Sequence, residues 1–197
     1  EDSKTNYPYS TRSFRDKLRH TLWLVPSVKA AKALTKLLKK HPVFGKEYQI
    51  INVVDNDKSD TIESAEDDDR GQSDVDRVRK IITEKAYETK TITISVRRLT
   101  TGVNVPEWTA ILFLNNTTSA MQYLQAAFRA QTPYSDERGM KENCYIFDFA
   151  PDRALTIMAE STSLNTGTGK LVSWEQRKEM ERLLNFKLYD LLRSPAS

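Results

Sequence analysis

Two apolar segments in the second half of the chain constrain its fold more than any other feature. Residues 92–96 are rich in β-branched side chains and bounded by charge, and residues 110–114 are apolar without interruption. Segments of this kind are buried on both faces, as strands are in parallel sheets covered by helices. We therefore predict that they form neighbouring central strands of a parallel sheet.

A helix is predicted directly after the second of these strands. Ser119, followed three residues later by Gln122, has the spacing of a capping box at the start of a helix. Apolar residues then recur at helical spacing. We expect Met121, Leu124 and Phe128 to form the stripe that faces the core.

The polar face of this helix is a candidate ligand site. Gln125 and Arg129 stand four residues apart and therefore project together, with Gln122 beside them. Burial of the apolar stripe would leave this polar face pointing along the edge where open α/β sheets bind their ligands. On periodicity alone, the alternative is a surface helix whose Gln and Arg side chains are simply solvated.

The loop between the two strands offers groups that suit a phosphate. Thr100, Thr101 and Gly102 follow the first strand, and hydroxyl donors beside a glycine leave a phosphate little steric obstruction. Asn104 comes next, and Pro106 keeps the preceding residue extended. A Thr-Thr-Gly triplet occurs in many loops, so its weight comes from its order and spacing with the helix that follows.

A third apolar run, near the start of the chain, is followed by another helix. Residues 22–25 are apolar, Pro26 and Ser27 interrupt the run, and apolar residues then recur at helical spacing until His41. Ser27 lies at the start of this helix. It is a plain N-cap there, or it also contacts a phosphate, because a helix N-terminus is itself an anion site.

The rest of the pattern alternates strands with helices. Strands are predicted at residues 48–54 and 144–149, and a helix at about residues 74–87. This alternation predicts an α/β fold with a parallel sheet and helices on both faces. Near the end of the chain, Ser173 begins a second capping box, and an apolar stripe predicts an amphipathic helical extension over residues 173–192.

The sequences of several segments resemble motifs of a known protein family. Residues 22–38 resemble motif IV of the superfamily-two (DEAD/DEAH) helicases, and residues 91–133 resemble motifs V and VI in their second, C-terminal RecA-like lobe. Among these proteins, the chain looks most like the motor lobes of bacterial restriction–modification helicases. The segments that carry this likeness read RLTTGVNVPEW, YLQAAFRAQTP and YIFDFAPDRAL.

The resemblance implies the second motor lobe of an ATP-dependent DNA helicase or translocase. Ser27, Thr100 and Thr101 would contact the backbone of nucleic acid, expected to be double-stranded DNA. Gln125 and Arg129 would act as catalytic residues on the ATP phosphates. Gly102 and Asn104 would join Gln125 and Arg129 in binding the nucleotide. Such motors are often fused to, or associated with, a nuclease or methylase.

The first RecA-like lobe is expected to lie outside this sequence. The chain opens with Glu1 rather than methionine, and no Gly-x-x-x-x-Gly-Lys-Ser/Thr phosphate loop occurs anywhere in it. ATP and Mg²⁺ would therefore be held mainly by the first lobe. We expect this chain to be a fragment that is catalytically silent alone and that works with a first lobe of the same protein.

Three positions depart from the commoner family pattern. Asn104 stands where motif V usually has an acidic residue, Phe128 where motif VI usually has glycine, and Thr132 where motif VI usually has a second arginine. Arg129 would then stabilise charge alone, and uncharged Thr132 is expected to contribute little.

Two alternative functions stay open. One is a non-catalytic nucleic-acid or protein interaction module on a RecA-like scaffold. The other is an unrelated nucleotide-binding domain, although no Gly-x-Gly-x-x-Gly follows any predicted strand.

Charge is distributed unevenly along the chain. Residues 55–76 hold ten acidic and two basic side chains with few apolar ones, which predicts a flexible, solvated insertion. Of the 27 acidic and 30 basic residues in the whole chain, 17 acidic and 28 basic residues remain elsewhere, a net charge of +11. This basic remainder is compatible with phosphate contacts.

These features suggest three segments and exclude several classes of site. We expect an N-terminal lead-in at 1–20, the RecA-like lobe at 21–160, and a linker with the terminal helix at 161–197. One cysteine excludes an internal disulfide, and two histidines with Cys144 do not make a metal site. No apolar run of about eighteen residues occurs, so we expect a soluble, intracellular protein with no membrane partner. The resemblance to bacterial restriction–modification helicases implies that the compartment is the bacterial cytoplasm.

Overall fold

The structure, a computed structural model, describes residues 9–53, 66–82, 85–96, 104–116 and 119–150, with side chains from residue 74 onward in the second range. Thr100, Thr101, Gly102 and the predicted terminal helix lie outside these residues. The helices are α1 (Arg12–Lys17), α2 (Val28–Lys40), α3 (Phe44–Glu47), α4 (Glu66–Ile82) and α5 (Ala120–Arg129). The strands are β1 (His20–Leu24), β2 (Gln49–Val53), β3 (Thr91–Ser95), β4 (Ala110–Phe113), β5 (Ser135–Asp136), β6 (Gly139–Met140) and β7 (Tyr145–Asp148).

Five parallel strands form the central sheet, in the order β2–β3–β1–β4–β7. The predicted strands β3 and β4 are both central, but the prediction that they are neighbours is wrong. They flank β1, and Trp23 lies opposite Ile94 on one side and Leu112 on the other. Apolar runs indicate burial on both faces, but they carry no information about which strands pair.

Helices cover both faces of the sheet, as predicted. On one face, α1, α2 and α3 pack over Trp23, Ile92 and Ile94. On the other face, α4 and α5 pack over Leu22 and Ile111. Each face thus has its own apolar core, and the predicted α/β architecture is confirmed.

Helix α4 begins earlier than its apolar pattern predicts. Val75, Val78 and Ile82 are buried at helical spacing, which is the part that the sequence indicated. The helix extends back to Glu66 and ends at Ile82, and a short 3₁₀ turn follows at Ala86–Glu88. Acidic residues are favourable in the first turns of a helix, where the dipole is positive. Residues 66–76 of the predicted flexible insertion are therefore helical.

Residues before β1 pack tightly on the sheet. The buried Tyr9 hydroxyl donates to Thr21 Oγ1 at 2.9 Å, and the Trp23 indole donates to the same oxygen at 3.0 Å. Arg15 Nε pairs with Glu47 of α3 at 3.0 Å. These contacts join part of the predicted lead-in to the core of the lobe.

His20 is a buried, uncharged histidine at the start of the central strand. It is 3% exposed, and its Nε2–H donates to the Ala86 carbonyl at 2.8 Å because a carbonyl only accepts. Its Nδ1 then accepts from the Thr91 hydroxyl at 2.9 Å. Burial lowers the pKa of the imidazole from 6.5 to about 4, against a smaller opposing effect of the Ala86 hydrogen bond.

We predict that His20 makes the fold sensitive to mild acid. The unfolded chain takes up a proton near pH 6.5 and the folded chain only near pH 4, so stability falls as pH drops through this window. The loss should reach about 3 kcal/mol. Urea unfolding at several pH values measures it. His20→Gln should flatten this dependence, whereas the same change at the exposed His41 should leave it intact; equal slopes in both variants would contradict the assignment.

Candidate functional site

Helix α5 begins where its capping box predicted. The Ser119 side chain accepts a hydrogen bond from the Gln122 backbone N–H at 3.3 Å, and the helix runs from Ala120 to Arg129. The Tyr123 ring stacks on Phe113, the last residue of β4, with 4.1 Å between ring centroids. The start of α5 therefore lies at the carboxyl end of β4.

The face of α5 that packs on the sheet differs from the predicted one. Met121 is 61% exposed and Phe128 is 47% exposed, so the predicted stripe of Met121, Leu124 and Phe128 is wrong except for the partly buried Leu124. The residues that pack on the sheet are Tyr123, Ala126, Ala127 and Ala130. Alanines let the helix backbone approach the strands closely. Shape has therefore outweighed hydrophobicity in choosing the buried face.

Gln125 and Arg129 are half-buried on the rim of this interface. Partial burial lowers the pKa of the Arg129 guanidinium. Because α5 starts at the carboxyl end of β4 and its last turn lies near Trp108, which precedes β4, the helix runs antiparallel to the strand. Arg129 therefore lies toward the amino end of β4, and not at the carboxyl edge that the sequence suggested.

Ser27 lies at the other edge of the sheet, just beyond the carboxyl end of β1. Its side chain accepts from the Ala30 backbone N–H at 3.1 Å, which confirms it as the N-cap of α2. Ser27 is exposed, so a role toward phosphate stays a prediction. The structure does not bring Ser27 and Arg129 together.

Asn104 and Thr132, two of the three departures from the family pattern, contact each other. The Thr132 hydroxyl donates to Asn104 Oδ1 at 3.0 Å. Arg79 of α4 donates to the Asn104 backbone carbonyl at 2.8 Å. Asn104 is exposed, and these two bonds fix it between α4 and the end of α5. A hydrogen bond between two uncharged side chains thus occupies the two positions at which the commoner family pattern has an acidic residue and an arginine.

Lys141 also connects the segment before β4 to the end of α5. Its ammonium donates to three backbone carbonyls, those of Pro106 at 2.8 Å, Trp108 at 3.1 Å and Ala130 at 2.9 Å. Burial lowers the pKa of Lys141 to about 8, although Cys144 and Glu107 partly oppose this effect. The lysine holds the segment before β4 against the last turn of α5. It thereby positions the helix that carries Arg129.

Sequence reasoning missed two of these residues. Lys141 lies in a polar segment without periodicity, and Arg79 has the pattern of an exposed helix residue. Their roles arise from contacts with residues 11 to 35 positions away, which no local pattern encodes. The sequence marks Thr132 only as a position where the family's second arginine is missing. The contact with Asn104 could have been suspected because both positions depart from the same pattern.

Some classes of feature are not found in the part of the chain that the structure describes. Within it, no three His, Cys, Asp or Glu side chains are grouped so that they could hold a metal ion. None of its helices combines the length and the apolar character needed to cross a membrane.

One curated relative is similar to almost all of the chain. It is assigned as the C-terminus of a type II restriction enzyme and methyltransferase, RM.MpnORF110P, from Mycoplasma pneumoniae. The two sequences are 32% identical over 181 residues, which cover 89% of this chain. The chain spans about a quarter of the relative's length, 24%. No protein-family model matches the chain.

Solved structures with similar folds include helicase domains. Domain 2 of the DEAD-box helicase Mss116p, bound to an RNA duplex, gives a TM-score of 0.48 at 19% identity, covering 87% of this chain and 59% of that one. The C-terminal part of the Fun30 ATPase domain gives 0.44 at 13% identity, covering 86% and 48%. The curated relative is assigned to a restriction–modification protein, which is the kind of protein that the motifs resemble.

We predict an energetic coupling between Asn104 and Thr132. In a double-mutant cycle of Asn104→Ala and Thr132→Ala, the two losses of unfolding free energy should differ from additivity by about 0.5 to 1 kcal/mol, because each change removes the same hydrogen bond. Urea unfolding of the four proteins measures the coupling. Strict additivity would show that the contact contributes nothing.

Lys141→Met should destabilise the chain by about 2 kcal/mol or more, since it leaves three carbonyls without their charged donor. Lys46→Met is the matched control, because Lys46 is an exposed lysine on α3. Denaturant midpoints of both variants test the difference. Equal midpoints would mean that the three carbonyls are satisfied by water as readily as by Lys141.

Proposed function

We propose that the chain is the second motor lobe of an ATP-dependent DNA helicase or translocase of a restriction–modification system. The observation that carries this proposal is the 3.0 Å contact between Asn104 and Thr132, which joins the motif V-like loop to the end of the motif VI-like helix. In the proposed motor lobe this contact would couple the loop at the nucleic acid to the helix at the nucleotide. The 32% identity to a restriction and methyltransferase protein supports the same assignment.

Gln125 and Arg129 are the residues proposed to face ATP. A half-buried guanidinium beside an amide suits phosphate oxygens, because Arg presents a planar fork of donors and is already partly dehydrated. When bound, ATP supplies the phosphoryl group that is transferred to water. Arg129 would stabilise negative charge, and Gln125 would orient a neighbouring group by hydrogen bonding. Mg²⁺ and most of the nucleotide would be held by a first lobe outside this sequence.

Asn104 and Gly102 are proposed at the same nucleotide. The Asn104 Oδ1 already accepts from Thr132, so its side chain would offer an N–H donor. Gly102 lies outside the described residues. Asn104 and Gly102 would therefore bind the nucleotide through hydrogen-bond donors, and not through the carboxylate that is commoner at the Asn104 position.

DNA is the proposed track of the motor. Ser27, Thr100 and Thr101 would contact backbone phosphates through hydroxyl groups, which gives binding without sequence preference. Double-stranded DNA and an associated nuclease or methylase are favoured because the relative is assigned as the C-terminus of a type II restriction enzyme and methyltransferase. Its Mycoplasma source also favours a bacterial cytoplasm as the setting.

One observation favours a second candidate function, a non-catalytic interaction module. Met121 and Phe128 expose apolar surface on α5. Helices that dock on protein partners present such side chains. In a motor this surface would touch the first lobe, whereas in a module it would bind a partner without ATP turnover.

We predict that Arg129→Ala in the full-length protein lowers ATP turnover by at least roughly a hundredfold. An arginine acting on a transferring phosphoryl group is worth about 10³ to 10⁵ in rate. Phosphate release under saturating ATP measures the effect. Lysine should rescue it poorly, because a point charge does not reproduce the planar fork.

Arg77→Ala is the matched control, an exposed arginine on α4, and it should leave turnover unchanged. If Arg129→Ala hydrolyses ATP within a fewfold of the wild type, Arg129 is a surface residue and the interaction module becomes the better assignment. Complete lack of ATPase activity in the wild type, with a partner bound through Met121 and Phe128, would lead to the same conclusion.

A further inference from the structure

Helix α2 presents a continuous stripe of lysines to solvent. All five of its charged residues are basic and exposed: Lys29, Lys32, Lys36, Lys39 and Lys40. Their helical spacing places them within one arc of the surface, opposite the buried Ala31 and Leu38. We call these five residues the α2 lysine stripe.

The acidic residues of the surrounding helices are engaged elsewhere. Between residues 12 and 47 the only acidic side chains are Asp16 and Glu47. Asp16 pairs with Lys90 at 2.8 Å, and Glu47 pairs with Arg15 at 3.0 Å. No ion pair joins the α2 lysine stripe to any residue that the structure describes.

The position and length of the stripe suit a phosphate chain. It begins beside Ser27, at the carboxyl edge of the sheet, and continues along the outer face that α1, α2 and α3 cover. From Lys29 to Lys40 a helix rises about 16 Å. One strand of duplex DNA places a phosphate every 3.4 Å along its axis, so about five phosphates pass this length.

We propose that the α2 lysine stripe is a second, outer tract for the DNA backbone, continuous with Ser27. The inference rests on the proposed motor function for the identity of its polyanion, and it adds a surface outside the motif loops. Point charges on long flexible stems give contacts that are independent of sequence and strongly dependent on salt. The tract would hold DNA during the steps in which the loop contacts are released.

Binding of a labelled 20-base-pair duplex to the 197-residue chain, measured by fluorescence anisotropy over a range of salt concentrations, tests the proposal. Lys32→Gln with Lys36→Gln should weaken binding by roughly tenfold or more at about 0.1 M salt, and should reduce the slope of log K against log salt by about two. Lys32→Arg with Lys36→Arg keeps the charge and should keep both the affinity and the slope.

The matched control removes two exposed lysines from the opposite side of the sheet. Lys80→Gln with Lys85→Gln changes net charge equally and should leave the slope at the wild-type value. Equal effects of the two glutamine pairs would overturn the proposal, because net charge alone would then explain binding. It would also fail if the α2 pair lost affinity for polyglutamate but not for DNA, since the stripe would then suit an acidic protein.

These results are separable from the fate of the motor assignment. The ATPase test with Arg129→Ala does not depend on α2. A chain whose salt slope responds to Lys32 and Lys36 keeps its outer tract even if the full-length protein hydrolyses no ATP. Conversely, normal Arg129-dependent turnover with an unresponsive salt slope rejects only the tract.

Discussion

Strand β1 pairs with β3 on one edge and with β4 on the other, and the remaining elements are positioned by these two ladders. All five residues of β1 are buried, so the strand is closed off on both faces and both edges. Helix α2 follows the carboxyl end of β1, with Ser27 as its N-cap, and helix α5 follows the neighbouring strand β4. Displacing β1 would therefore move both α2 and α5 relative to the rest of the sheet. Parallel pairing buried on both faces is thus the constraint on which the lobe depends.

The fold class could be predicted from sequence because local pattern and burial agree along most of the chain. Continuous apolar runs predict buried parallel strands, and the capping serines at 27 and 119 predict helix starts that the structure confirms. The order of the strands could not be predicted in this way. β3 and β4 each satisfy the pattern of a central strand, but only tertiary packing decides that β1 separates them.

The candidate site shows the same division between local and long-range information. The spacing of Gln125 and Arg129 predicts a shared polar face, which a single turn of helix specifies. The buried face of α5 was mistaken because large apolar side chains suggest a core, whereas the close fit here is made by Ala126, Ala127 and Tyr123. Lys141 gave no signal, since its role is defined by three carbonyls from two other segments.

The contact between Asn104 and Thr132 is uncharged, and this property separates two kinds of coupling in the lobe. Contacts with a phosphate backbone release counterions and therefore vary with ionic strength. A hydroxyl-to-amide bond carries no net charge and is not screened in this way. In the proposed motor, ionic strength would therefore change how tightly the lobe grips its track without changing how firmly the loop is joined to the Arg129 helix. Higher salt would thus lower the affinity for DNA, while the strength of the hydrogen bond between Asn104 and Thr132 stayed the same.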